Sequence, residues 1–487
     1  MAAAPFRLAA TGDAILTHGV SRSEGDRPRF DALADVLREA DAALAQLEPA
    51  LVGDDARHGS LRRVTDQYQY LAPFPGAIMG TDPRVLDDLT AMGVNLFSVA
   101  SNHALDFGRE GLRSTLDALR GRELTFAGVG RNLAEARSPA YLETAAGRVG
   151  LVDATTSVPP GGEAGVDTAA FDGGCGVNPL HVEWTYRVPP EALAQLRDVA
   201  DRAGIERVKG EWLRRERSDW DRDGAFSFMH MRFAEATDGR PPGIYQSLHC
   251  GDRRAVLTRI DEAAARADWV VAALHAHQSR DGNRNTSDPP AFLESFARRC
   301  VEAGAHAVVV TGPHTLRGVE IHEGRPVFYS LGNFGFHEET IHRVPDAPDA
   351  DATSTVPDVR GDDAAVGDGS ADGGASGEAS DEFDGGGPAA AGDVSDPSGE
   401  AEADASHDVD NWRSVVPACE FGADGTLDEL VCYPCTLRPA ADGPHRGTPV
   451  LATGEEARAI LRTLARRSEQ FGTTVRLADG VGVVDGV

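Results

Sequence analysis

Residues 94–103 read Val-Asn-Leu-Phe-Ser-Val-Ala-Ser-Asn-His, a short apolar run that ends in polar side chains. The apolar part has the length and composition of a buried strand. In open α/β sheets, ligands bind in the crevice beyond the carboxyl ends of the strands. The stretch therefore predicts a strand that delivers Asn102 and His103 to a functional edge of a sheet.

Four more motifs follow short apolar runs in the same way. They are Thr11-Gly12-Asp13, Gln46-Leu47-Glu48, Leu274-His275-Ala276-His277 and Gly312-Pro313-His314. Carboxylate, amide and imidazole groups are the ligands of Zn, Mn and Fe in proteins. Five such motifs at one edge are what a metal-centred hydrolytic site requires.

Strands alternate with helices along most of the chain, which indicates an α/β layered fold. The sequence predicts strands at 6–16, 94–100, 125–128, 149–154, 269–274 and 307–310. It predicts helices at 30–46, 82–93, 111–119, 256–267, 289–303 and 454–469. A hairpin is expected at 317–333, and an antiparallel pair at 415–421 and 427–437.

The alternation of strands and helices is interrupted in two stretches, and these interruptions suggest the domain organisation. A stretch rich in Gly, Pro, Trp and charge predicts an insertion beside the site, in the manner of a cap. A run of Asp, Gly, Ala, Ser and Glu has too few apolar side chains to fold, so it is expected to be disordered. The predicted segments are a first half of the core at 1–157, the insertion at 158–250, a second half at 251–343, the disordered acidic linker at 344–409, and C-terminal strands and a helix at 410–487.

The charge balance excludes some partners. The 487 residues include 47 Lys and Arg against 77 Asp and Glu, a net charge of -30. Nucleic-acid binding needs a basic surface, so no nucleic-acid partner is expected. The acidic, Lys-poor composition predicts a halophilic protein, in which salt screens the self-repulsion. The alternative is an ordinary acidic protein with an acidic linker.

No targeting or membrane segment is expected. The first residues lack a secretory pattern, and no apolar run approaches the ~20 residues that a membrane span requires. The sequence therefore predicts a cytoplasmic protein without a membrane span. Cys432 and Cys435 have C-x-x-C spacing without a second pair, so we interpret them as strand residues rather than a zinc or redox site.

Each candidate residue also has a plain structural explanation. Asp13 is either a metal ligand or a helix N-cap, and Glu48 is either a ligand or a surface carboxylate. Asn102 and His103 form either a site or a polar cap between strand and helix. For His275, His277 and His314 the alternative is a hydrogen-bonded core histidine, and Asn333 ends a later strand near the same edge. No phosphate-binding P-loop and no G-x-S-x-G nucleophile motif are present.

Longer blocks carry a family resemblance. They are Ser-Val-Ala-Ser-Asn-His-Ala-Leu-Asp-Phe-Gly at 98–108, Gly-Val-Gly-Arg-Asn-Leu-Ala-Glu-Ala-Arg at 128–137, and the stretch from Gly-Pro-His to Leu-Gly-Asn-Phe at 312–334. With Thr-Gly-Asp at 11–13, the chain resembles the CapA family of poly-gamma-glutamate and capsule synthesis proteins. That family looks like the calcineurin-type metallophosphoesterases.

The resemblance implies a metallophosphoesterase-like αββα sandwich of two mixed sheets flanked by helices. It implies a divalent metal (Mn, Zn or Fe) held by Asp13, Glu48, Asn102, His275 and His314, with His103 as the catalytic histidine. Asn333 is a second catalytic candidate, and His277 is a further candidate ligand. Two positions depart from the pattern: Ile15 stands where metallophosphoesterases generally have a histidine, and Thr311 where many family members have one.

Three functions stay open at this point. The favoured one is a metal-dependent phosphoesterase-type hydrolase of poly-gamma-glutamate or cell-surface polymer synthesis, acting on a small-molecule or polymer phosphoester through a metal-activated water. The second is a non-catalytic accessory component that associates with other polymer synthesis proteins. The third is a sugar- or peptide-binding module that needs no metal.

Overall fold

A computed structural model describes residues 5–20, 23–53, 77–216, 225–228, 231–280, 282, 284–337, 342–343 and 411–486. The predicted disordered linker at 344–409 lies outside the described residues. Within them, strands and helices alternate through mixed sheets, so the predicted α/β class is confirmed.

The larger sheet has ten strands. Its main path runs Val475–Ala478, Val481–Val484, Leu427–Thr436, Arg413–Phe421, Phe6–Ile15, Ala42–Leu47, Leu96–Ser98 and Thr125–Ala127. Asn333–Phe336 pairs with Phe6–Ile15, and Val450–Leu451 pairs with Leu427–Thr436. The pairs that join Asn333–Phe336, Phe6–Ile15, Ala42–Leu47, Leu96–Ser98 and Thr125–Ala127 are parallel, so their carboxyl ends share one edge.

The second sheet has six strands, in the order Val319–His322, Arg325–Phe328, Ala307–Thr311, Trp269–His275, Gly147–Thr155 and Ala140–Thr144. Its four inner strands are parallel. Two of the predicted strands in this sheet, 269–274 and 307–310, end where the polar motifs begin. The alternation of helix and strand thus places His275 and Thr311 side by side at one sheet edge.

One apolar layer contains residues of both sheets, among them Leu8, Leu44, Leu151, Val271 and Val309. Helices pack on the opposite face of each sheet. Arg27–Arg38, Val85–Met92 and Gly108–Gly121 cover the ten-stranded sheet, and Cys250–Ala264 and Ala291–Glu302 cover the six-stranded sheet. Each fully buried large apolar side chain in these layers contributes about 1.5–3 kcal/mol relative to exposure.

Two more helices complete the core. Leu133–Arg137 packs beside the short strand Val129–Gly130, and Gly454–Ser468 packs on the C-terminal strands. The predicted antiparallel pair and the predicted helix at 454–469 are confirmed. Cys432 and Cys435 both lie buried in Leu427–Thr436, in two different apolar layers, which confirms their interpretation as strand residues.

The predicted helix at 30–46 is wrong in its second half. The helix ends at Arg38, and Ala42–Leu47 is a strand that pairs in parallel with Phe6–Ile15 and Leu96–Ser98. Every residue of this strand is buried, so its sequence shows no alternation of apolar and polar side chains. A short apolar run of this kind cannot be distinguished from a helix by periodicity alone.

Residues within the predicted insertion form a small sheet of their own. Its strands are Phe226–Phe228, Met231–Glu235, Val182–Val188 and Gly243–Leu248, with helices Pro190–Arg202 and Ile205–Glu216 packed nearby. This sheet touches the core where Gln246 Nε2 donates to the carbonyl of Ser279 at 3.3 Å. The domain boundaries stay a prediction.

Three two-stranded sheets complete the described residues: Val129–Gly130 with Gly176–Val177, Ala50–Leu51 with Gly80–Thr81, and Ala77–Ile78 with His342–Arg343. None of the helices in the described ranges is long and apolar enough to span a bilayer.

Candidate metal centre

The two sheets meet at the carboxyl ends of their parallel strands, and Asp13 joins them there. It is fully buried and in register with Gln46 and Asn333 in the ten-stranded sheet. Its carboxylate oxygens accept the backbone N–H of Gly312, which follows a strand of the other sheet, at 2.8 and 3.1 Å. Asp13 is therefore a fixed carboxylate at the centre of the edge.

Glycine at position 12 allows this close approach. A Cβ at Gly12 would lie 1.6 Å from the carbonyl oxygen of Gly332, which directly precedes the neighbouring strand Asn333–Phe336. The backbone N–H of Asp13 donates to that same oxygen at 3.1 Å. The close packing of the backbone at Gly332 therefore requires glycine at position 12 of the Thr-Gly-Asp motif. The aspartate of the motif faces the site.

Glu48 lies directly after the neighbouring strand and is also fully buried. Neither of its carboxylate oxygens has a hydrogen-bond partner among the described residues. Burial, followed by the charges of Asp13 and Asp106, holds the pKa of Glu48 well above its ordinary value. A buried carboxylate without donors is costly unless a cation compensates it.

Three polar atoms from two strand ends converge beside Glu48. His275 Nε2 lies 3.1 Å from His277 Nε2, and Asn102 Oδ1 lies 2.8 and 3.0 Å from these two nitrogens. Two nitrogens bound at about 2.1 Å to one cation, at angles of about 90–110°, would be about 3.0–3.4 Å apart. The spacing therefore suits ligands of a common ion.

The remaining ring nitrogens of these histidines have partners of their own. His275 Nδ1 lies 3.1 Å from Thr311 Oγ1, and His277 Nδ1 lies 2.7 Å from Asn285 Oδ1. Such contacts fix the tautomer and leave Nε2 to bind a metal. Burial, followed by the charges of His275 and His314, holds the pKa of His277 well below its ordinary value. A neutral imidazole is the form that binds metals.

His314 approaches from the other side of Asp13. Its Nδ1 lies 3.6 Å from Asp13 Oδ2, and its Nε2 lies 3.9 Å from Glu48 Oε1. Its backbone is left-handed, with φ of 58°, two residues after Gly312 at 106°. A left-handed conformation at a non-glycine residue costs free energy and is found most often at functional sites. Burial lowers the pKa of His314 despite the opposing charge of Asp13.

Asn333 contacts His314 and not the centre of the site. Its Oδ1 lies 2.9 Å from His314 Nδ1, and its Nδ2 donates to the carbonyl of Asn411 at 3.0 Å. These bonds orient the His314 ring. The predicted catalytic role of Asn333 stays a prediction.

His103 forms a pair with Asp106. Its Nδ1 lies 2.6 Å from Asp106 Oδ2, and its Nε2 lies 3.9 Å from Glu48 Oε1. Asp106 is buried and also accepts the backbone N–H of Met79 at 2.7 Å. The carboxylate thus fixes the ring with Nε2 toward Glu48, which is the arrangement of a proton donor beside a reaction centre.

Two groups of side chains in the described part of the chain have the spacing of a metal site. One is Glu48, His275 and His277, and the other is Asp13, Glu48 and His314. Glu48 belongs to both, and its two unpartnered oxygens are available to both. The donor set of carboxylates and neutral imidazoles fits Zn, Mn or Fe.

The chain matches a known family over the region that contains this site. A sequence profile described as bacterial capsule synthesis protein PGA_cap matches residues 7–338. The chain belongs to the PGA_cap family. All eight predicted site residues lie within the matched range, and the resemblance to CapA proteins is confirmed.

Several relatives share the PGA_cap region. The uncharacterized protein y4uA of Sinorhizobium fredii (strain NBRC 101917 / NGR234) is 32% identical over 98% of this chain and 93% of its own length. The PGA biosynthesis protein CapA of Bacillus subtilis (strain 168) is 23% identical over 61% of this chain and 58% of its own length. The probable polyglutamine synthesis accessory protein MT0602 of Mycobacterium tuberculosis (strain CDC 1551 / Oshkosh) is 27% identical over 52% of this chain and 47% of its own length.

Sequence comparison singled out Ile15, where metallophosphoesterases generally have a histidine, and Thr311, where many family members have one, and the structure shows the surroundings of both. Ile15 is buried in an apolar cluster and offers no ligand. Thr311 faces the site and contacts His275 Nδ1. His277 instead contributes a second imidazole nitrogen beside His275, so the edge still has three histidines next to Asp13 and Glu48.

Three residues near the site were not among the candidates from sequence. Asp106 contacts His103, Asn285 contacts His277, and Arg284 lies next to Asn285 in the loop after the strand Trp269–His275. Asp106 follows His103 by three residues, a spacing that could have suggested the pair. The loop that contains Arg284 and Asn285 has no periodic pattern, and nothing in its sequence points to the site.

Proposed function

We propose that this PGA_cap protein is a metal-dependent phosphoesterase-type hydrolase of capsule or poly-gamma-glutamate synthesis. The observation that supports this most directly is Glu48, a fully buried carboxylate whose oxygens lack hydrogen-bond donors. A divalent cation, Mn, Zn or Fe, would compensate that charge. Asp13, Glu48, Asn102, His275, His277 and His314 are the proposed ligands.

The layer order supports a metallophosphoesterase-like αββα sandwich as the fold. Two mixed sheets share one apolar layer, and helices cover their other faces. The parallel strands of both sheets end at the site, as expected for α/β folds that bind ligands at strand carboxyl ends.

A bound cation would supply charge compensation for phosphoryl oxygens and activation of water. The chain itself holds the donors in place before any ligand arrives. Thr311 and Asn285 orient the rings of His275 and His277, and Asn333 orients His314. Such fixed donors reduce the reorganisation that a reaction needs.

His103 is the proposed proton donor. Its Nδ1 contacts Asp106, so Nε2 is the nitrogen that can give a proton to the leaving oxygen of a phosphoester. Its side chain is 11% exposed, which leaves the ring accessible from the open side of the site.

A second function has support from a relative. The Mycobacterium tuberculosis protein carries the name of a probable polyglutamine synthesis accessory protein. An accessory component would keep the fold and bind other polymer synthesis proteins without turnover. Cytoplasmic localisation stays a prediction for either function.

One experiment separates the two functions. Metal content and hydrolysis of aryl phosphomonoesters and phosphodiesters are measured in high salt for wild type, Glu48→Gln, His103→Ala and His314→Ala. His322→Ala is the control, because His322 lies in the edge strand Val319–His322, paired with Arg325 at the amino end of the next strand.

Stoichiometric metal in wild type, with turnover lost in the three site variants and kept in the control, supports the hydrolase. A folded wild-type protein that binds metal but turns over neither substrate favours the accessory function. A folded protein that binds no metal contradicts the proposed metal centre.

A further inference from the structure

The loop after the strand Trp269–His275 places a cation, Arg284, at the rim of the site. Arg284 forms an isolated β-bridge with Gln278. The next residue, Asn285, donates its backbone N–H to the carbonyl of His277 at 3.0 Å and contacts the His277 ring with its side chain. The backbone of Arg284 is thus tied to the same residues that position a proposed ligand.

A buried arginine stabilises this loop by hydrogen bonds. Arg317 is fully buried, and its guanidinium donates to the carbonyl oxygens of Thr286 at 2.8 Å and Gln278 at 3.0 Å, and to Ser279 Oγ at 3.0 Å. These bonds flank Arg284 on both sides of the loop. They restrict the backbone from which the exposed Arg284 side chain extends.

The Arg284 guanidinium acts on the charges of the site. Its charge acts on both Glu48 and His277. Glu48 and His277 belong to the same group of proposed ligands, so the guanidinium lies within electrostatic reach of that group.

The Arg284 guanidinium makes no hydrogen bond or ion pair within the described ranges. Its neighbour Arg280, in contrast, pairs with Glu294. A guanidinium presents five N–H donors in a planar fork that matches two oxygens of a phosphate. Arg284 therefore has donors available at the open side of the site.

The net negative charge of the chain opposes the binding of an anionic substrate, which a positively charged residue near the site would counteract. A net charge of -30 repels an anionic substrate, and salt screens that repulsion only beyond a Debye length. Within the site, Asp13 and Glu48 add two carboxylates. A local cation such as Arg284 offsets this repulsion for an anionic group near the site.

We propose that Arg284 binds the phosphoryl group of the substrate by donating hydrogen bonds from its guanidinium to the non-bridging oxygens. This inference rests on the proposed phosphoesterase function and adds a substrate-binding residue to it. Arg284 acts as a binding residue beside the metal ligands and is not itself a ligand.

The test is calorimetric titration with inorganic phosphate of wild type, Arg284→Gln and Arg254→Gln, each with and without Mn²⁺. Arg254 is exposed on the helix Cys250–Ala264 and serves as the matched control. The affinities for Mn²⁺, Zn²⁺ and Fe²⁺ are measured separately on the same proteins. We expect Arg284→Gln to weaken phosphate binding about tenfold or more, the loss of charge-assisted hydrogen bonds, while Arg254→Gln stays near wild type.

The outcomes separate this inference from the proposed function. If Mn²⁺ binds and Arg284→Gln holds phosphate as tightly as wild type, the role of Arg284 is refuted and the metal centre stands. If wild type binds none of Mn²⁺, Zn²⁺ and Fe²⁺, the proposed function fails. The phosphate titrations without metal then test the role of Arg284. A lower phosphate affinity in Arg284→Gln than in wild type supports that role, and an equal affinity refutes it. A wild type that binds no phosphate in either state also refutes it.

Discussion

Asn285 Oδ1 lies 2.7 Å from His277 Nδ1, so an asparagine in an irregular loop decides which nitrogen of a proposed ligand faces the site. An amide oxygen can only accept, so Nδ1 carries the proton and Nε2 carries the lone pair. That lone pair points to the place where His275 Nε2 and Asn102 Oδ1 also meet.

Replacement of this asparagine tests the arrangement. We expect Asn285→Ala to reduce the affinity for Mn²⁺ or Zn²⁺ about 10–100-fold, because the His277 ring loses its orientation. Asn285→Asp keeps an acceptor and should retain most of the affinity. Competition with a chelator of known affinity measures both variants, and equal affinities for Asn285→Ala and wild type would contradict the role of Asn285.

Glu48→Gln should change stability and metal binding in opposite directions. The pKa of Glu48 in the folded protein is raised well above its ordinary value of 4.5, so the folded state holds the proton more tightly than the unfolded state. Stability of the metal-free protein is then full below that ordinary value and falls as pH rises through the raised pKa. The stability of the Glu48→Gln variant should therefore not fall with rising pH in this way. The variant should also bind metal more weakly or not at all.

Thermal unfolding of metal-free wild type and Glu48→Gln from acidic to alkaline pH measures the first effect. Addition of Mn²⁺ should stabilise wild type and leave the variant unchanged, since a ligand of the folded state raises its stability. If Glu48→Gln is less stable than metal-free wild type at neutral pH, the claim that the Glu48 carboxylate destabilises the metal-free protein is contradicted.

His103→Ala should lower turnover without removing metal. Loss of a general acid costs about 10²–10⁴-fold in rate. Asp106→Asn should lower turnover less, because the ring remains but loses its carboxylate partner. Steady-state rates with an aryl phosphoester and metal content by mass spectrometry check this, and loss of metal in His103→Ala would indicate a ligand instead.

Asp153 should make the stability of the protein depend on pH. One of its oxygens accepts the backbone N–H of Val99 and Ala100 at 2.8 and 2.9 Å, and the other has no partner among the described residues. Burial raises its pKa from 3.8 to about 8 despite these bonds. Its contribution is therefore complete below about pH 4 and is lost as pH rises through about 8.

Asp153→Asn should remove that decline, on the order of a few kcal/mol across the range, at about 1.4 kcal/mol per pKa unit. Chemical denaturation at several pH values measures it against Asp117→Asn, a change at an exposed helical position. Parallel curves for Asp153→Asn and wild type would show that Asp153 does not titrate in this range.

Salt should stabilise this chain. The net charge of -30 destabilises the compact state by self-repulsion, and the Debye length falls from about 30 Å at 0.01 M salt to about 3 Å at 1 M. We expect the melting temperature to rise with KCl over this range. A constant or falling melting temperature would contradict the prediction of a halophilic protein.

Sequence reasoning selected the residues of the candidate site because they follow buried strands. Asp13, Asn102, His275 and His314 each end such a run, and parallel pairing brings those ends together. The strand Ala42–Leu47 was mistaken for helix because it is buried on both faces and has no period of two. Glu48 was nevertheless found, because its position after the apolar run does not depend on that assignment.

The parts that sequence reasoning missed depend on tertiary contacts. Asn285 and Arg284 reach the site because buried Arg317, far along the chain, bonds the loop that contains them. Thr311 stands where many family members have a histidine, and its contact with His275 gives it a role in orientation. Such relationships follow from the packing of separate segments and have no local signature.

The pairing of Phe6–Ile15 with Arg413–Phe421 has a consequence for synthesis on the ribosome. The strand that carries Asp13 has Ala42–Leu47 on one side. On the other side Asn333–Phe336 pairs with its carboxyl end and Arg413–Phe421 with its amino end, at Phe6 to Ala9. Until Arg413–Phe421 emerges, the nascent chain exposes an unpaired apolar edge, which is prone to aggregation. The amino-terminal half of the strand that carries Asp13 is thus completed late in synthesis, and truncated products should depend on chaperones.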